Sequence, residues 1–168
     1  VSFQEQRGFR VPIPTDQAQH ELTHLRILLE CEGACLSIRQ GGIDWESRLT
    51  AAHHKLSHIE KRVRGSADHM PLFILWAKAE QAFHETLISD CGSDVLKATH
   101  TMIYQRFRQQ VFNSDKKFVF VVENIEQHQG ILDAALMRDE ALIRSRIYSH
   151  LERNLVFDMP PELPKLPY

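Results

Sequence analysis

From Thr15 to Asn154 the apolar residues recur at spacings of three and four, and short turn clusters cut the pattern into six pieces. The clearest piece is Trp45, Leu49, Ala52, Leu56, Ile59 and Val63, one face of an amphipathic helix. Before it, Leu22, Leu25, Leu29 and Leu36 form a stripe on a segment from about Thr15 to Gln40, with Gly41 and Gly42 as its C-terminal cap. Asp44 is an N-cap type of residue for the second segment, which ends near Gly65 and Ser66. The third starts around Pro71, a residue favoured in a first helical turn, and runs to Cys91. Gly92 and Ser93 stop the helix and restart it. The fourth runs from about Asp94 to Phe112, with Leu96, Ile103 and Phe107 on one side, and Asn113, Ser114 and Asp115 make a turn after it.

The run at 118–122, all Phe and Val, is ambiguous between strand and helix. It continues with helical spacing, so a fifth helix is expected from about Lys117 to Met137. Gly130 inside it costs about 1 kcal/mol relative to Ala. Asp139 caps a sixth helix that reaches about Asn154. The expectation is an all-α chain, an antiparallel bundle over residues 15–154. Gly8, Pro12 and Pro14 exclude a helix over residues 1–14, where Phe9, Val11 and Ile13 alternate as in an extended arm. A proline-rich tail follows over residues 155–168.

With 168 residues the chain suits one domain with a sizeable core. A net charge of -2 argues against this segment gripping nucleic acid by itself, because phosphate binding needs a clustered positive surface. No apolar run approaches the roughly 18 residues of a membrane span, and no secretory signal is visible. Three cysteines, Cys31, Cys35 and Cys91, fit reduced thiols in a cytoplasmic protein better than a disulfide framework. Cys31 and Cys35, one turn apart, read as small buried residues ahead of metal ligands.

Ten histidines are many for this length, so the useful question is which way each one points. His84 shares a face with Trp76, Ala77, Glu80, Leu87 and Ile88. Glu80 is one turn before it, so the two side chains are neighbours. A lone buried carboxylate is expensive and needs a cation, a donor or a metal. His128 lies with Asn124, Ile125, Ile131, Leu132 and Ala135, and His150 with Ile143, Ile147 and Leu151. All three imidazoles point inward. Two readings stand side by side: core histidines satisfied by hydrogen bonds, or a first shell for a divalent ion made of neutral imidazoles and a carboxylate. His54 and His58 fall on the solvent side of their helix, and His20 and His24 are expected to be exposed. His53 flanks the stripe of its helix, and His100 leans toward the interior with Leu96, Ile103 and Phe107.

These pieces, in order, resemble a known family. They are Leu25-Arg26-Ile27-Leu28-Leu29-Glu30, Glu80-Gln81-Ala82-Phe83-His84-Glu85-Thr86-Leu87, Cys91-Gly92-Ser93, Glu126-Gln127-His128-Gln129-Gly130-Ile131-Leu132, and His150-Leu151. From His84 to His128 is 44 residues, and from there to His150 is 22. The set is similar to the C-terminal effector-binding domain, called FCD, of GntR-family transcription regulators of the FadR subfamily. The resemblance implies an all-helical bundle of six or seven helices that works as a homodimer. It implies a divalent metal (zinc, nickel or manganese) held by Glu80, His84, His128 and His150. The family usually has Asp at the first of these positions, so Glu80 is a departure by one methylene. Residues 7–11 look like the end of a winged helix-turn-helix wing, with the DNA-binding domain proper absent from this chain.

The resulting expectation is a cytoplasmic sensor, not an enzyme, that binds a small carboxylate effector and controls how a dimer presents its DNA-binding heads. Arg26, Arg106 and Arg108 are candidate effector-binding cations, with His100 and Asn124 lining the same interior; a structural salt bridge is the competing role for each arginine. Two further classes remain open: a metal-dependent hydrolase in which the ion activates water, with Glu85 nearby in sequence, and a metal-free structural bundle.

Overall fold

A computed structural model describes residues 15–64, 70–113 and 123–155, and these are helical almost throughout. The helices are α1 (Asp16–Gln40), α2 (Ile43–Arg64), α3 (Met70–Leu87), α4 (Asp94–Asn113), α5 (Glu123–Leu136) and α6 (Glu140–Leu151), followed by a 3-10 turn, Glu152–Asn154. The expected arm at 1–14, the ambiguous run at 118–122 and the proline-rich tail from 156 on lie outside the described residues. Helix α2 packs on α3 and α5, α1 packs on α4 and α6, and α5 packs on α6. The result is an all-α bundle, as the periodicity requires.

The helix ends follow capping chemistry. Thr15 Oγ1 accepts from the backbone N–H of Ala18 at 3.1 Å, and Asp139 Oδ1 accepts from that of Leu142 at 2.9 Å. Asp44 is not a cap: α2 begins one residue earlier, and the Gly42 carbonyl accepts from Glu46 at 3.1 Å. Gly41 closes α1 without a left-handed conformation (φ -74°). Its need for glycine is space, because a Cβ there would sit 2.9 Å from the Trp45 ring. Helix α3 stops at Leu87, short of Cys91, in tight turns where Ser89 donates to Thr86 and Cys91 to Ile88. Gly92 then takes φ +72°, which only glycine adopts freely. Arg138 ties the end of α5 to the end of α1: its guanidinium donates to the carbonyls of Ile38 (2.5 Å) and Gly41 (2.9 Å) and to Glu46 (2.6 Å).

The stripe expected on α2 is the buried one, with Trp45, Leu49, Leu56 and Val63 in the core. Trp45 Nε1 donates to the Thr86 carbonyl at 3.0 Å, fixing α2 to the end of α3. The stripe expected on α1 is not the buried one. Leu25 is 38% exposed, while the covered face carries Arg26, Ile27, Glu30, Cys31, Ala34, Cys35 and Ile38. Arg26 and Glu30 pair across one turn, Arg26 Nε to Glu30 Oε1 at 2.6 Å, and so let a charged register face the interior. Gly33 lies on this covered face where α1 meets Ile88 and Leu96; a Cβ would come within 2.8 Å of Ile88.

Candidate functional site

Helices α3, α5 and α6 each bring polar side chains to one interior point. Glu80 and His84 come from α3, His128 from α5 and His150 from α6, and one donor atom from each lies within 4.8 Å of the others. All four are buried: 4%, 0%, 0% and 3% exposed, respectively. The imidazole rings are 5.5 Å (His84–His128), 5.3 Å (His84–His150) and 4.4 Å (His128–His150) apart between centroids.

The outer ring nitrogens are tied down. His84 Nδ1 lies 2.7 Å from Glu30 Oε2, and His128 Nδ1 lies 2.9 Å from Glu60 Oε1. Trp76 Nε1, which only donates, also reaches Glu60 Oε1 at 3.3 Å. That oxygen accepts from the indole and is placed to accept from an Nδ1–H of His128 as well. His150 Nδ1 lies 3.1 Å from Gln127 Oε1, which also accepts from Arg153 at 3.2 Å. With Nδ1 donating outward, Nε2 of a neutral imidazole presents a lone pair inward. The Nε2 atoms of His84 and His128 are buried and make no hydrogen bond among the described residues. The nearest acid to the first is Glu80 Oε1, at 3.5 Å.

Charge reinforces this arrangement. Burial pushes the His84 pKa below its ordinary value, although Glu30 pulls the other way. Burial, with the nearby His128 and His84, drives His150 well below its ordinary range. Both are therefore neutral near pH 7. Burial disfavours a charged Glu30, but Arg26 and His84 outweigh it and hold its carboxyl well below the usual range. Imidazoles whose Nδ1 atoms are held from outside, two of them with buried Nε2 atoms that make no hydrogen bond, stand beside a carboxylate and form the donor set that divalent transition ions take. The residues fit such an ion.

Glu80 is also an ion-pair centre. Its Oε1 is 3.3 Å from Arg26 Nη2, and its Oε2 accepts from Tyr104 and Arg108 of α4. Arg26 has Glu30 as well, and the two carboxylates outweigh burial to raise its pKa. His100 Nε2 lies 2.9 Å from Glu30 Oε1, so it joins the cluster through Glu30. Asn124 is buried at the edge and accepts from Arg153. Arg106 is exposed, not inward: Met102, one turn before it, is itself 46% exposed, and the covered side of α4 runs through His100, Ile103, Tyr104 and Phe107. Glu85 is hydrogen-bonded to Gln81 (2.9 Å) and Thr101 (3.0 Å). His54 is exposed and stacks with His58, whereas His53 is buried against Phe83.

Sequence reasoning did not single out Glu30, Glu60, Tyr104 or Gln127 for the site. The signal for the first two was a carboxylate in the buried register: Glu60 falls four after Leu56 and three before Val63.

The family model for the FCD domain matches residues 21–153. The chain belongs to the FCD domain family. This FCD domain is 31% identical over 159 residues to the uncharacterized HTH-type transcriptional regulator BphR of Paraburkholderia xenovorans, covering 92% of this chain and 62% of that protein. It is 28% identical over 155 residues to the HTH-type transcriptional repressor GlaR of Escherichia coli, covering 90% and 69%. Among solved structures, E. coli McbR/YncC shares the fold at a TM-score of 0.69 and 17% identity, over 91% of this chain and 69% of that one. The FCD domain thus spans about two thirds of the relatives' length. No helix among the described residues is long and apolar enough to cross a membrane.

Proposed function

We propose that this FCD domain is the ligand-sensing part of a cytoplasmic GntR-family transcription regulator of the FadR subfamily, and that it binds a small carboxylate effector and a divalent metal inside the bundle. Glu80, His84, His128 and His150 would hold the ion. When bound, it supplies Lewis-acid positions that accept carboxylate oxygens. Arg26 and Arg108 add charge-assisted hydrogen bonds to the same ligand. The observation that carries the reading is the pair of buried, unshared Nε2 atoms of His84 and His128, whose Nδ1 atoms are held by Glu30 and Glu60.

Two relatives named as HTH-type transcriptional regulators support the regulatory role, with DNA bound through a winged helix-turn-helix domain joined to this one. A homodimer would match paired DNA half-sites. Helices α1 and α4 pack together and leave apolar side chains in water: Leu25, Leu28, Val95 and Met102. That surface is the kind a second copy covers. Effector binding acts on DNA only through its difference in affinity between the two states of the dimer.

Titration calorimetry with a panel of small carboxylates, on metal-loaded and chelator-treated protein, tests this function. Saturable binding of at least one acid, stronger in the loaded protein, is expected. Uniform absence of binding in both preparations would overturn it.

A further inference from the structure

The Glu80 carboxylate is drawn in two directions. One oxygen faces His84 Nε2 and Arg26; the other is held by Tyr104 and Arg108. Two guanidinium groups and a phenol around one carboxylate make a strong anion seat. Arg26 has a second acid, Glu30 at 2.6 Å. Among the described residues the acid that Arg108 meets is Glu80.

The same seat opens outward. Arg108 and Tyr104 line a groove of about 350 Å³ between α3 and α4, with Phe73, Ile74 and Ala77 as its apolar side and Lys78, Gln81, Gln105 and Gln109 as its polar side. The Arg108 side chain is 18% exposed, whereas Glu80 behind it is 5% exposed. A molecule entering from the groove therefore meets the guanidinium first, across a mostly apolar wall.

We propose that this seat is the recognition site for the ligand's carboxylate and that Glu80 is its built-in occupant, released when an ion at the three imidazoles draws Glu80 to itself. This rests on the metal and carboxylate reading above. The physical ground is competition. A carboxylate whose lone pairs go to a metal gives weaker hydrogen bonds to Arg108 and Tyr104. A partly buried guanidinium left without its acid is costly, and an incoming carboxylate relieves that cost. Metal and acid binding then reinforce each other through Glu80, and the reinforcement is reciprocal. The apolar side of the groove suits a monocarboxylic acid with a short apolar body that lies on Phe73, Ile74 and Ala77.

The test uses butyrate as the probe and butyramide as its neutral control, measured by calorimetry on the chelator-treated protein. Glu80→Gln is expected to bind butyrate at least about tenfold more tightly than the wild type, because a seat without its internal carboxylate is binding-competent in a larger fraction of molecules. Adding Arg108→Gln should remove that gain, and butyramide should not show it. Wild-type protein gives a second readout: zinc should raise butyrate affinity, and Arg108→Gln should lose most of the rise. Equal butyrate binding by chelated wild type and Glu80→Gln, with a zinc effect that does not depend on Arg108, overturns the proposal and leaves the sensor reading standing. Wild-type protein that binds neither zinc nor any acid, beside a Glu80→Gln protein with Arg108-dependent butyrate binding, upholds the seat and its occupant but overturns release by an ion, together with the sensor reading.

Discussion

Glu30 and His84 are 54 residues apart in sequence and 2.7 Å apart in the fold, Oε2 to Nδ1. The contact joins α1 to α3 and sets the imidazole so that its other nitrogen faces the interior. Outer partners of this kind typically matter about 10- to 100-fold for metal affinity. Glu30→Gln keeps the size and removes the charge, and it should weaken zinc binding within that range while helicity stays intact. Glu60→Gln should act in the same way through His128. Competition with a chromophoric chelator reads both; unchanged affinity in both variants would show that these acids do not orient the ring nitrogens.

The metal-free protein should lose stability as it is acidified. His84 and His150 have pKa values held below the ordinary histidine value in the fold. Just below about pH 6.5 the unfolded chain takes up protons that these two sites refuse. The unfolded state binds more protons, so stability rises with pH and falls on acidification through this window. Glu30, with its depressed pKa, contributes stability that is present above the ordinary carboxylate range and is lost only as pH falls further. Urea midpoints at pH 7.5, 6 and 5 should decline in that order. A flat profile would mean that the two buried imidazoles are protonated as easily in the fold as in the open chain.

Two glycines inside helices should respond in opposite senses to alanine. At Gly33 a Cβ would sit 2.8 Å from Ile88 Cγ2 and 3.1 Å from Leu96 Cδ2. Overpacking should cost about 1–3 kcal/mol there, against a helix-propensity gain of about 1 kcal/mol. At Gly130 the nearest atom is the flexible Arg146 Cδ at 3.4 Å, an ordinary contact. Gly130→Ala should stabilise the protein by about 0.4–1 kcal/mol. Thermal or chemical denaturation of the two variants checks the contrast, and a stabilised Gly33→Ala would show that α1 shifts easily away from Ile88.

The bundle was legible because three- and four-residue spacings of apolar residues leave little choice, and Gly92 with its positive φ marks a break that few other residues would permit. The inward set Glu80, His84, His128 and His150 was legible for the same reason: each stands in its helix's apolar register. Helix α1 shows where that logic fails. Its leucines mark the wrong face, because Arg26 and Glu30 neutralise each other and so occupy positions that hydrophobicity assigns to carbon. Arg106, a candidate cation by sequence, lies on the exposed side of α4 beside Met102, which is 46% exposed. Glu30, Glu60 and Gln127 belong to the site only through contacts between helices. Spacing within one helix says nothing about which ring nitrogen a distant carboxylate will meet.

The proposed role of the three imidazoles and Glu80 is to hold an ion. Zinc titration of chelator-treated, tag-free protein, with X-ray absorption at the metal edge, addresses it directly. One ion per chain, an imidazole-rich shell of nitrogen and oxygen, and loss of binding in His84→Ala, His128→Ala and His150→Ala are the results expected. No stoichiometric uptake, or uptake that survives all three substitutions, would contradict it.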